Sequence, residues 1–284
     1  MGMTVAVIAM GEMGSGVAAR LVERGAIVRT SLAGRSSASA ERAKAAGVEL
    51  AADDLALVSG ADFVLSIVPP ARAGELAQRL LPPIQASGGQ AVFVDCNAIA
   101  PQTVKAIAEP FQAAGLAFVD AGIVGGAPDP TGYNPRIYAS GPRAGDFARL
   151  TGLGLDIPVL SDRIGDASAL KMAYAGTTKG GHAVMMAMML GAARAGVAEA
   201  FAAEMKSSQA GRLEAAVRQA PVVLRKAYRW DGEMEEIAKF LLPETGGAGL
   251  FQGAAQLYRD LARDVEAGEG AERLRLLAEI KSRV

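Results

Sequence analysis

In the first half of the chain, apolar residues form short, β-branched runs that alternate with alanine-rich segments of helical spacing. Strands separated by helices of this length pair in parallel through right-handed crossovers. Because the runs are apolar on both faces, we expect helices to cover both sides of the sheet. The predicted strands are Thr4–Ile8, Ala26–Leu32, Asp62–Val68, Ala91–Asp95 and Leu116–Asp120, and the predicted helices span 11–24, 36–46 and 101–114.

The pattern changes after about residue 164. Ile137–Ser140 and Pro158–Leu160 are the last predicted strands, and from Asp166 the apolar spacing is helical almost to the end. The sequence therefore predicts a doubly wound, mostly parallel α/β domain over residues 1–164 and an all-helical domain over residues 165–284. The second domain is expected to begin with one long interdomain helix that reaches about Ala195.

The composition excludes several classes of protein. The chain has 29 basic and 30 acidic residues and a formal charge of −1, which removes the electrostatic argument for nucleic acid or an anionic membrane as partner. One cysteine (Cys96) and one histidine (His182) leave no internal disulfide and no Cys/His zinc site. No apolar run is long enough to span a bilayer and the N-terminus has no basic leader, so we expect a cytoplasmic protein.

We also predict that the chain binds no metal. A cluster of acidic residues follows Trp230, and the commoner cause of such a cluster is the first turn of a helix, where carboxylates oppose the helix dipole. The cluster consists of Glu233, Glu235 and Glu236.

The turn after the first predicted strand has the spacing of a dinucleotide fingerprint. The segment Ala9-Met10-Gly11-Glu12-Met13-Gly14 fits G-x-G-x-x-G with alanine in place of the first glycine. Gly11 lets the backbone approach a pyrophosphate, Gly14 lets the helix pack on the strand, and the helix N-terminus supplies amide donors. An ordinary glycine-rich turn is the alternative, but the position in a βαβ series favours a Rossmann-type nucleotide site.

The region after the second strand indicates which dinucleotide binds. A site that prefers NAD places an acid there to bind the ribose hydroxyls, yet no acid occurs from Ala26 to Ala40. Arg35 and Ser36 stand there instead, with a guanidinium and a hydroxyl suited to a 2′-phosphate. The alternative is a solvated arginine and a helix-capping serine, and Ser36 can do both. We expect NADP(H) to be preferred, with NAD(H) possible.

With these motifs in place, the chain resembles the β-hydroxyacid dehydrogenase and 6-phosphogluconate dehydrogenase superfamily, in the branch with a DUF1932-type C-terminal domain. The resemblance covers nearly the whole chain. The motifs that carry it occur in order: AMGEMG at 9–14, GRS at 34–36, SIVPP at 66–70, DCNAIAP at 95–101, DAGIVGG at 120–126, GDASALKMAYAGTTKG at 165–180 and YRWDGEMEEIA at 228–238.

The resemblance implies a nicotinamide cofactor near Val68, Pro69 and Asn97, and a homodimer formed through the helical domain. It also implies that Lys171 is the catalytic acid/base, because a carbonyl oxygen that gains a hydride at its carbon needs a proton. A surface lysine is the alternative. The implied substrate pocket lies between the domains and is lined by Gly122, Ile123, Val124, Gly125 and Gly126.

Three positions depart from the family pattern. Val124 replaces a serine and Gly122 replaces a proline, so a carboxylate-binding hydroxyl is missing; Ala175 replaces a substrate-orienting asparagine. Tyr174 follows Lys171 by three residues and lies on nearly the same helix face, where its phenol can join catalysis. A core aromatic is an equally good interpretation of Tyr174. These losses favour a different, bulkier or less anionic substrate.

Further along the same helix, Lys179 is a candidate substrate-binding residue, with a solvated charge as the alternative. His182 projects to a similar side as Lys171, although a lone helical histidine is more often structural. The methionines that follow predict core packing, a dimer surface or an adaptable pocket wall; they are Met185, Met186, Met188 and Met189.

The leading hypothesis is an NADPH-dependent oxidoreductase that transfers hydride between nicotinamide and a small, hydroxyacid-like carbonyl/alcohol substrate, with Lys171 as general acid/base. Reduction of an imine (C=N) bond on the same architecture is the alternative within enzymes, and decarboxylating oxidation of a sugar acid is a third. A non-catalytic NADP(H)-sensing protein is the alternative from another class. The chain contains no G-x-S-x-G or G-x-x-x-x-G-K-[ST] motif, which argues against a serine hydrolase and a P-loop nucleotidase.

Overall fold

The computed structural model of the protein describes residues 2–268 and 271–282. The chain divides into two compact units, Met1–Met172 and Ala173–Val284. The first contains the sheet and its covering helices, and the second is helical.

The first unit is built on an eight-stranded sheet with the order β3-β2-β1-β4-β5-β6-β7-β8. Strands β1 to β6 pair in parallel, β7 runs antiparallel to β6, and β8 pairs in parallel with β7. This confirms the doubly wound, mostly parallel sheet. The strands are β1 Thr4–Ile8, β2 Ile27–Thr30, β3 Glu49–Leu50, β4 Phe63–Ser66, β5 Val92–Asp95, β6 Phe118–Val124, β7 Arg136–Ser140 and β8 Val159–Ser161.

Helices pack on both faces of the sheet, as the two-sided apolar strands predict. Alternate residues of β1 enter different cores: Val5 and Val7 join one cluster, whereas Ala6 and Ile8 join the other. The helices of this unit are α1 Glu12–Glu23, α2 Ser37–Ala45, α3 Asp54–Val58, α4 Ala73–Ala86, α5 Pro101–Ala113 and α6 Ala144–Phe147, with 3₁₀ turns at Pro70–Arg72 and Ala148–Leu153.

The parallel strands end at one common edge. Ile8, Ser66, Asp95 and Asp120 are register partners across β1, β4, β5 and β6, so these four residues lie side by side. Strand β6 continues beyond this row to Val124. Ligands of open α/β sheets bind at the carboxyl ends of the strands, and this row therefore marks the edge where a site is expected.

The predicted long helix is present, but a π-helical turn interrupts it. Helix α7 (Asp166–Ala175) continues through the π turn Gly176–Gly180 into α8 (Gly181–Arg194). The division between the two units falls inside α7, whereas we expected it after residue 164. The start of α7 belongs to the first unit because Gly165 and Ser168 hydrogen-bond to Asp120 of β6.

The helical unit continues with α9 (Ala198–Ser208), α10 (Ala210–Phe240), α11 (Thr245–Ala267) and α12 (Glu272–Ser282). None of the helices in the described ranges combines the length and the apolar character that crossing a membrane requires.

One expectation for this unit is wrong. Glu233, Glu235 and Glu236 lie near the C-terminal end of α10 rather than in the first turn of a helix, because α10 begins as far back as Ala210. The acids are instead paired with cations: Glu233 with Lys179, Glu235 with Arg259, and Glu236 with Lys239.

Candidate functional site

The dinucleotide turn lies where β1 passes into α1. Gly11 is the N-cap of α1 and contributes no side-chain capping bond, and no atom lies within 4 Å of the position that a Cβ on Gly11 would take. The Gly11 position therefore leaves open space beside the positive end of a helix dipole, where the amide groups of a first turn suit a pyrophosphate.

Gly14 and Met10 fix the shape of this turn. A Cβ on Gly14 would collide with the carbonyl group of Ala9, so glycine is required where α1 passes over the strand end. Met10 is buried, and its carbonyl oxygen accepts a hydrogen bond of 2.8 Å from Nε of Arg42 in α2. The turn is thus rigid on the protein side and open on the other.

Arg35 and Ser36 follow β2 at the same edge of the sheet. Ser36 is the N-cap of α2, and its Oγ accepts a hydrogen bond from the backbone of Ser39, so the capping interpretation holds for this residue. The backbone amide of Arg35 donates a hydrogen bond to Leu32, but its guanidinium has no hydrogen bond or ion pair to any residue that the structure describes. Partial burial and the positive charges of Arg79 and Arg72 lower the pKa of Arg35.

Two further arginines near Arg35, namely Arg72 and Arg79, were not predicted from the sequence. Arg72 pairs with Glu75 at 2.9 Å and Arg79 pairs with Asp54 at 3.1 Å, so Arg35 alone among these three guanidinium groups lacks a carboxylate. Arg72 ends the 3₁₀ turn directly before α4, and Arg79 lies within α4. Their spacing of seven residues contains a signal, because positions seven apart fall on one side of a helix and its N-cap. A small excess of positive charge surrounds the loop that was expected to bind a 2′-phosphate.

Asn97 holds the segment that follows β4. Its Oδ1 accepts a hydrogen bond of 2.7 Å from the backbone of Val68, its Nδ2 donates to Oγ of Ser66, and its own amide donates to Asp95. The side chain is buried. Asn97 therefore sets the position of Val68 and Pro69 through bonds inside the fold.

Asp95 is a buried carboxyl at the end of β5. Its Oδ1 accepts the Asn97 amide, whereas its Oδ2 is buried and has no hydrogen-bond partner among the described residues. Burial and, to a smaller extent, the charge of Asp120 on the neighbouring strand together raise the pKa of Asp95 to about 7, against the lowering effect of the Asn97 hydrogen bond. Burial beside both acids also raises the pKa of the Cys96 thiol, so this cysteine is a poor nucleophile.

The raised pKa of Asp95 makes folding stability depend on pH. Asp95 ionises at about 4 in an unfolded chain and at about 7 in the fold, so between these values the native state binds more protons. Its contribution to stability is complete below pH 4 and is lost as the pH rises through 7. The free energy of unfolding should fall by roughly 1.4 kcal/mol per pH unit in this window through this group alone. An Asp95→Asn variant should lack this part of the slope in urea unfolding at pH 5 to 8.

An Asp156→Asn variant, which changes an exposed carboxylate of the same unit, is the matched control and should keep the wild-type slope. Parallel stability curves for wild type and Asp95→Asn would contradict the assignment of a protonated Asp95.

Asp120 organises the start of α7. Its Oδ2 accepts hydrogen bonds from Ser140 Oγ and from the backbone of Gly165 and Ser168, and its Oδ1 accepts one of 2.6 Å from Ser168 Oγ. Burial raises the pKa of Asp120, although all four hydrogen bonds oppose that shift. Its carboxyl therefore fixes the N-terminal end of the helix that carries Lys171.

Lys171 reaches the end of β6. Its Nζ donates a hydrogen bond of 2.6 Å to the carbonyl oxygen of Ile123, and the side chain is half-buried. Gly122 explains the close approach, since a Cβ there would lie 2.8 Å from the carbonyl oxygen of Ala167 and 3.0 Å from Cβ of Lys171. The missing side chain at residue 122 thus brings α7 against β6, and the ammonium group projects over the carboxyl-end edge of the sheet.

The chain beyond Gly122 turns sharply. Ile123 is buried, Val124 ends β6, and Gly125 has a φ of +128°, a conformation that favours glycine. Gly126 continues into the loop 127–135 and lines a groove of about 870 Å³ within the first unit, together with Glu12 and Tyr133. The structure therefore brings the dinucleotide turn and the end of the 122–126 segment to one groove.

In the helical unit, Lys179 lies in a partly buried polar cluster. Its Nζ forms a short ion pair with Glu233 and lies 5.3 Å from the ring centre of Trp230. Tyr258 donates a hydrogen bond to the carbonyl oxygen of Lys179, and burial beside Glu233 raises the pKa of Tyr258. His182 stacks on Trp230, and burial lowers the pKa of His182. Lys179 is thus not a simple solvated charge, because it is bound within this cluster.

The remaining predicted positions divide between core and surface. Tyr174 is 49% exposed, so it is not a core aromatic. Met186 and Met189 are buried in the helical unit, whereas Met188 and its neighbour Val184 one turn earlier are exposed. The homodimer expected from the resemblance stays a prediction. Among the described residues, no group of three or more histidine, cysteine or acidic side chains is placed to hold a metal ion.

Comparison with known families matches both parts of the chain. The model described as the NAD binding domain of 6-phosphogluconate dehydrogenase matches residues 4–145, and a domain of unknown function, DUF1932, matches residues 192–261. The first match contains the dinucleotide turn, the Arg35 loop and strand β6.

Two curated proteins are also similar to this chain, one of them an uncharacterised protein of Methanothermus fervidus. The 3-hydroxyisobutyrate dehydrogenase of Pseudomonas aeruginosa is 29% identical over 72% of this chain and 64% of its own length. The chain spans 59% and 64% of the lengths of the two curated relatives that it matches.

Among solved structures, a conserved protein of unknown function described as structurally similar to 3-hydroxyacid dehydrogenases is 30% identical, with a TM-score of 0.67 over 91% of this chain and 98% of its own. An imine reductase from Myxococcus stipitatus in complex with NADP⁺ is 18% identical, with a TM-score of 0.56 over 99% of both chains. The latter is a likeness of fold alone.

Proposed function

Since the chain belongs to the family of the 6-phosphogluconate dehydrogenase NAD-binding domain and carries a DUF1932 domain behind it, we propose that it is an NADP-dependent oxidoreductase. It transfers hydride between nicotinamide and a small, hydroxyacid-like carbonyl/alcohol substrate. Lys171 is its general acid/base. The two parts of the proposal, the cofactor and the proton donor, rest on separate observations.

The observation that carries the catalytic assignment is the hydrogen bond between Lys171 Nζ and the Ile123 carbonyl oxygen. It holds an ammonium group at the edge of the sheet where the parallel strands end. The cofactor residues of the proposal lie along the same edge, namely Ala9, Met10, Gly11, Glu12, Met13 and Gly14 after β1, Arg35 and Ser36 after β2, and Val68, Pro69 and Asn97 after β4 and β5.

A nicotinamide held by these residues would supply the hydride in reduction or accept it in oxidation. Lys171 then provides the proton that the substrate oxygen gains during reduction, or accepts it during oxidation. The Ile123 carbonyl orients Nζ, and the half-buried site weakens competition from water for the ammonium group. The segment from Gly122 to Gly126 forms the wall next to Nζ, and we assign the substrate to it.

The NADP preference rests on Arg35. Its guanidinium has no hydrogen-bonded or ion-paired carboxylate among the described residues, and the positive charges of Arg79 and Arg72 act on it more strongly than the negative charge of Glu75. A 2′-phosphate would supply the missing negative charge and accept a forked hydrogen bond. NADH has a hydroxyl at this position and gains neither interaction.

An Arg35→Ala variant is expected to bind NADPH about 10- to 100-fold more weakly, with less than about threefold loss for NADH, because a charge-assisted phosphate contact is removed. Titration of each dinucleotide, followed by its fluorescence, measures both constants. Arg149→Ala changes another exposed arginine of the same unit and should alter neither.

Tighter binding of NADH than NADPH by the wild-type protein would overturn the NADP preference and leave the enzyme class intact. Failure to bind either dinucleotide would overturn the oxidoreductase proposal, and Ala9 would then mark a fingerprint that no longer binds nucleotide.

Imine reduction is the second candidate. It is favoured by the 122–126 segment, which carries no polar side chain to bind a carboxylate. Purified protein should be assayed for oxidation of 3-hydroxyisobutyrate with NADP⁺, and for reduction of small aldehydes and of a cyclic imine with NADPH. Turnover of the imine alone selects the second candidate. Cofactor binding without turnover of any of them favours a protein that senses NADP(H).

A further inference from the structure

The segment 122–126 receives its polar groups from other parts of the chain. Its own residues are glycine, isoleucine and valine. Lys171 Nζ hydrogen-bonds to the carbonyl oxygen of Ile123, and the phenol oxygen of Tyr133 accepts a hydrogen bond of 3.2 Å from the backbone of Gly126. Ile123 and Gly126 are three residues apart, so their Cα atoms are separated by no more than about 11 Å.

The position of the Tyr133 hydroxyl is set by its surroundings. A Cβ on Gly125 would collide with the phenol oxygen, so the hydroxyl occupies the space that any other residue would fill with its side chain. The loop that carries Tyr133 is held by Asp129, whose Oδ1 accepts hydrogen bonds from Thr131 and from the backbone of Tyr133. Arg20 in turn donates to the carbonyl oxygen of Asp129.

The hydroxyl group of Tyr133 has an unused hydrogen-bond donor. Its oxygen accepts the Gly126 amide, but its O–H has no acceptor among residues 2–268 and 271–282. The side chain is 46% exposed and lines the groove that also contains Glu12 and Ser15 of α1. A directed donor that the protein does not use, at the rim of this groove, is available to a ligand oxygen.

We propose that Tyr133 donates its phenolic hydrogen to an oxygen of the substrate, at the end remote from the carbon that exchanges hydride. This assignment rests on the proposed function, since Lys171 marks the reacting end. Tyr133 is then a specificity-determining residue that recognises a second oxygen function on a substrate of a few carbon atoms.

The charges of the groove restrict the class of that oxygen. Glu12 and Asp129 are acidic and Arg42 is basic, so the charged side chains that line the groove sum to −1. Such a lining disfavours a substrate that carries two carboxylates. It accepts a neutral carbonyl oxygen or a single carboxylate, and these two classes predict different losses when the donor is removed.

The test compares wild type, Tyr133→Phe and the control Tyr228→Phe, which changes an exposed tyrosine of the helical unit. NADP⁺-dependent oxidation of 3-hydroxyisobutyrate and of its methyl ester is measured for each. For Tyr133→Phe we expect KM to rise about 10- to 100-fold if a carboxylate is bound, and about three- to tenfold for a neutral ester oxygen. We expect kcat and the affinity for NADPH to stay within about twofold of the wild-type values, and the thermal midpoint to stay within about 2 °C.

A rise in KM for the acid that exceeds the rise for the ester identifies a bound carboxylate, and equal rises of this size identify a carbonyl oxygen. Unchanged KM in a variant that still turns over either compound overturns the role of Tyr133 and leaves the proposed function in place. A fall in kcat with unchanged KM also overturns it, because it indicates a relaxed Gly125–Gly126 turn. Wild-type protein that oxidises neither compound and reduces no aldehyde or imine overturns the proposed function, and this inference with it.

Discussion

A Lys171→Met variant is expected to lose about 10²- to 10⁴-fold in kcat for carbonyl reduction, while its affinity for NADPH stays within about twofold of wild type. Methionine keeps the length and apolar body of the lysine side chain but has no proton to give. The Ile123 carbonyl then loses the ammonium group that it orients in the native protein. Steady-state kinetics with NADPH and the best aldehyde, together with a cofactor titration, measure the two effects separately.

Lys206→Met is the matched control, because Lys206 is an exposed lysine in α9 of the helical unit. Its kcat should equal that of the wild-type protein. If Lys171→Met retained more than about half of the wild-type kcat, the proton would come from elsewhere. Tyr174, exposed on the same helix, would be the next residue to replace.

An Asp120→Ala variant is expected to lose about 3–5 kcal/mol of unfolding free energy, which is a large share of the stability of an ordinary domain. Four donors lose their acceptor at once: two serine hydroxyls and the amides of Gly165 and Ser168. All of them are buried, so water does not replace the carboxyl. Urea unfolding of the full chain at pH 7 measures the loss.

The control for this variant is Asp156→Ala. Asp156 is exposed and lies 3.5 Å from Arg136, and a surface pair of this kind contributes less than about 1 kcal/mol. Similar stabilities for the two variants would show that Asp120 is not the anchor of α7. A folded Asp120→Ala protein with normal cofactor affinity and reduced kcat would show that the anchor positions Lys171.

The sheet was largely predictable because its signal is local. Runs such as Asp62–Val68 and Ala91–Asp95 are apolar on both faces. This pattern is typical of strands that helices cover on both sides of the sheet. The antiparallel partner of β6 could not be predicted in the same way, because the direction of β7 depends on the loop 125–135 and on contacts distant in sequence. The acids of α10 were misassigned because the start of a long helix has no strong signal when a glutamine precedes it.

Residues of the candidate site could be predicted only where a short sequence motif fixes the local backbone geometry by itself. Gly14 and Ser36 have the local roles that their motifs indicate. Gly14 allows the close approach to the Ala9 carbonyl group, and Ser36 caps α2. Arg79 was missed because it acts on Arg35, which is far away in sequence. Tyr133 was missed because its hydrogen bond to Gly126, seven residues earlier, depends on the path of the irregular loop between them. The side-chain amide of Asn97 bonds to Val68 and Ser66, a partnership that only the fold creates, and its expected place next to the cofactor stays a prediction.

The absence of a side chain at Gly122 has a consequence for how this protein can change. The distance between α7 and β6 and the reach of Lys171 cannot change independently. The space left by the missing Cβ at residue 122 is occupied both by the Ala167 carbonyl group and by Cβ of Lys171. Any larger residue at 122 would push the helix outward and withdraw the ammonium group with it. Attempts to widen substrate scope are therefore better directed at Val124 or Tyr133, where side chains can be exchanged without moving the helix.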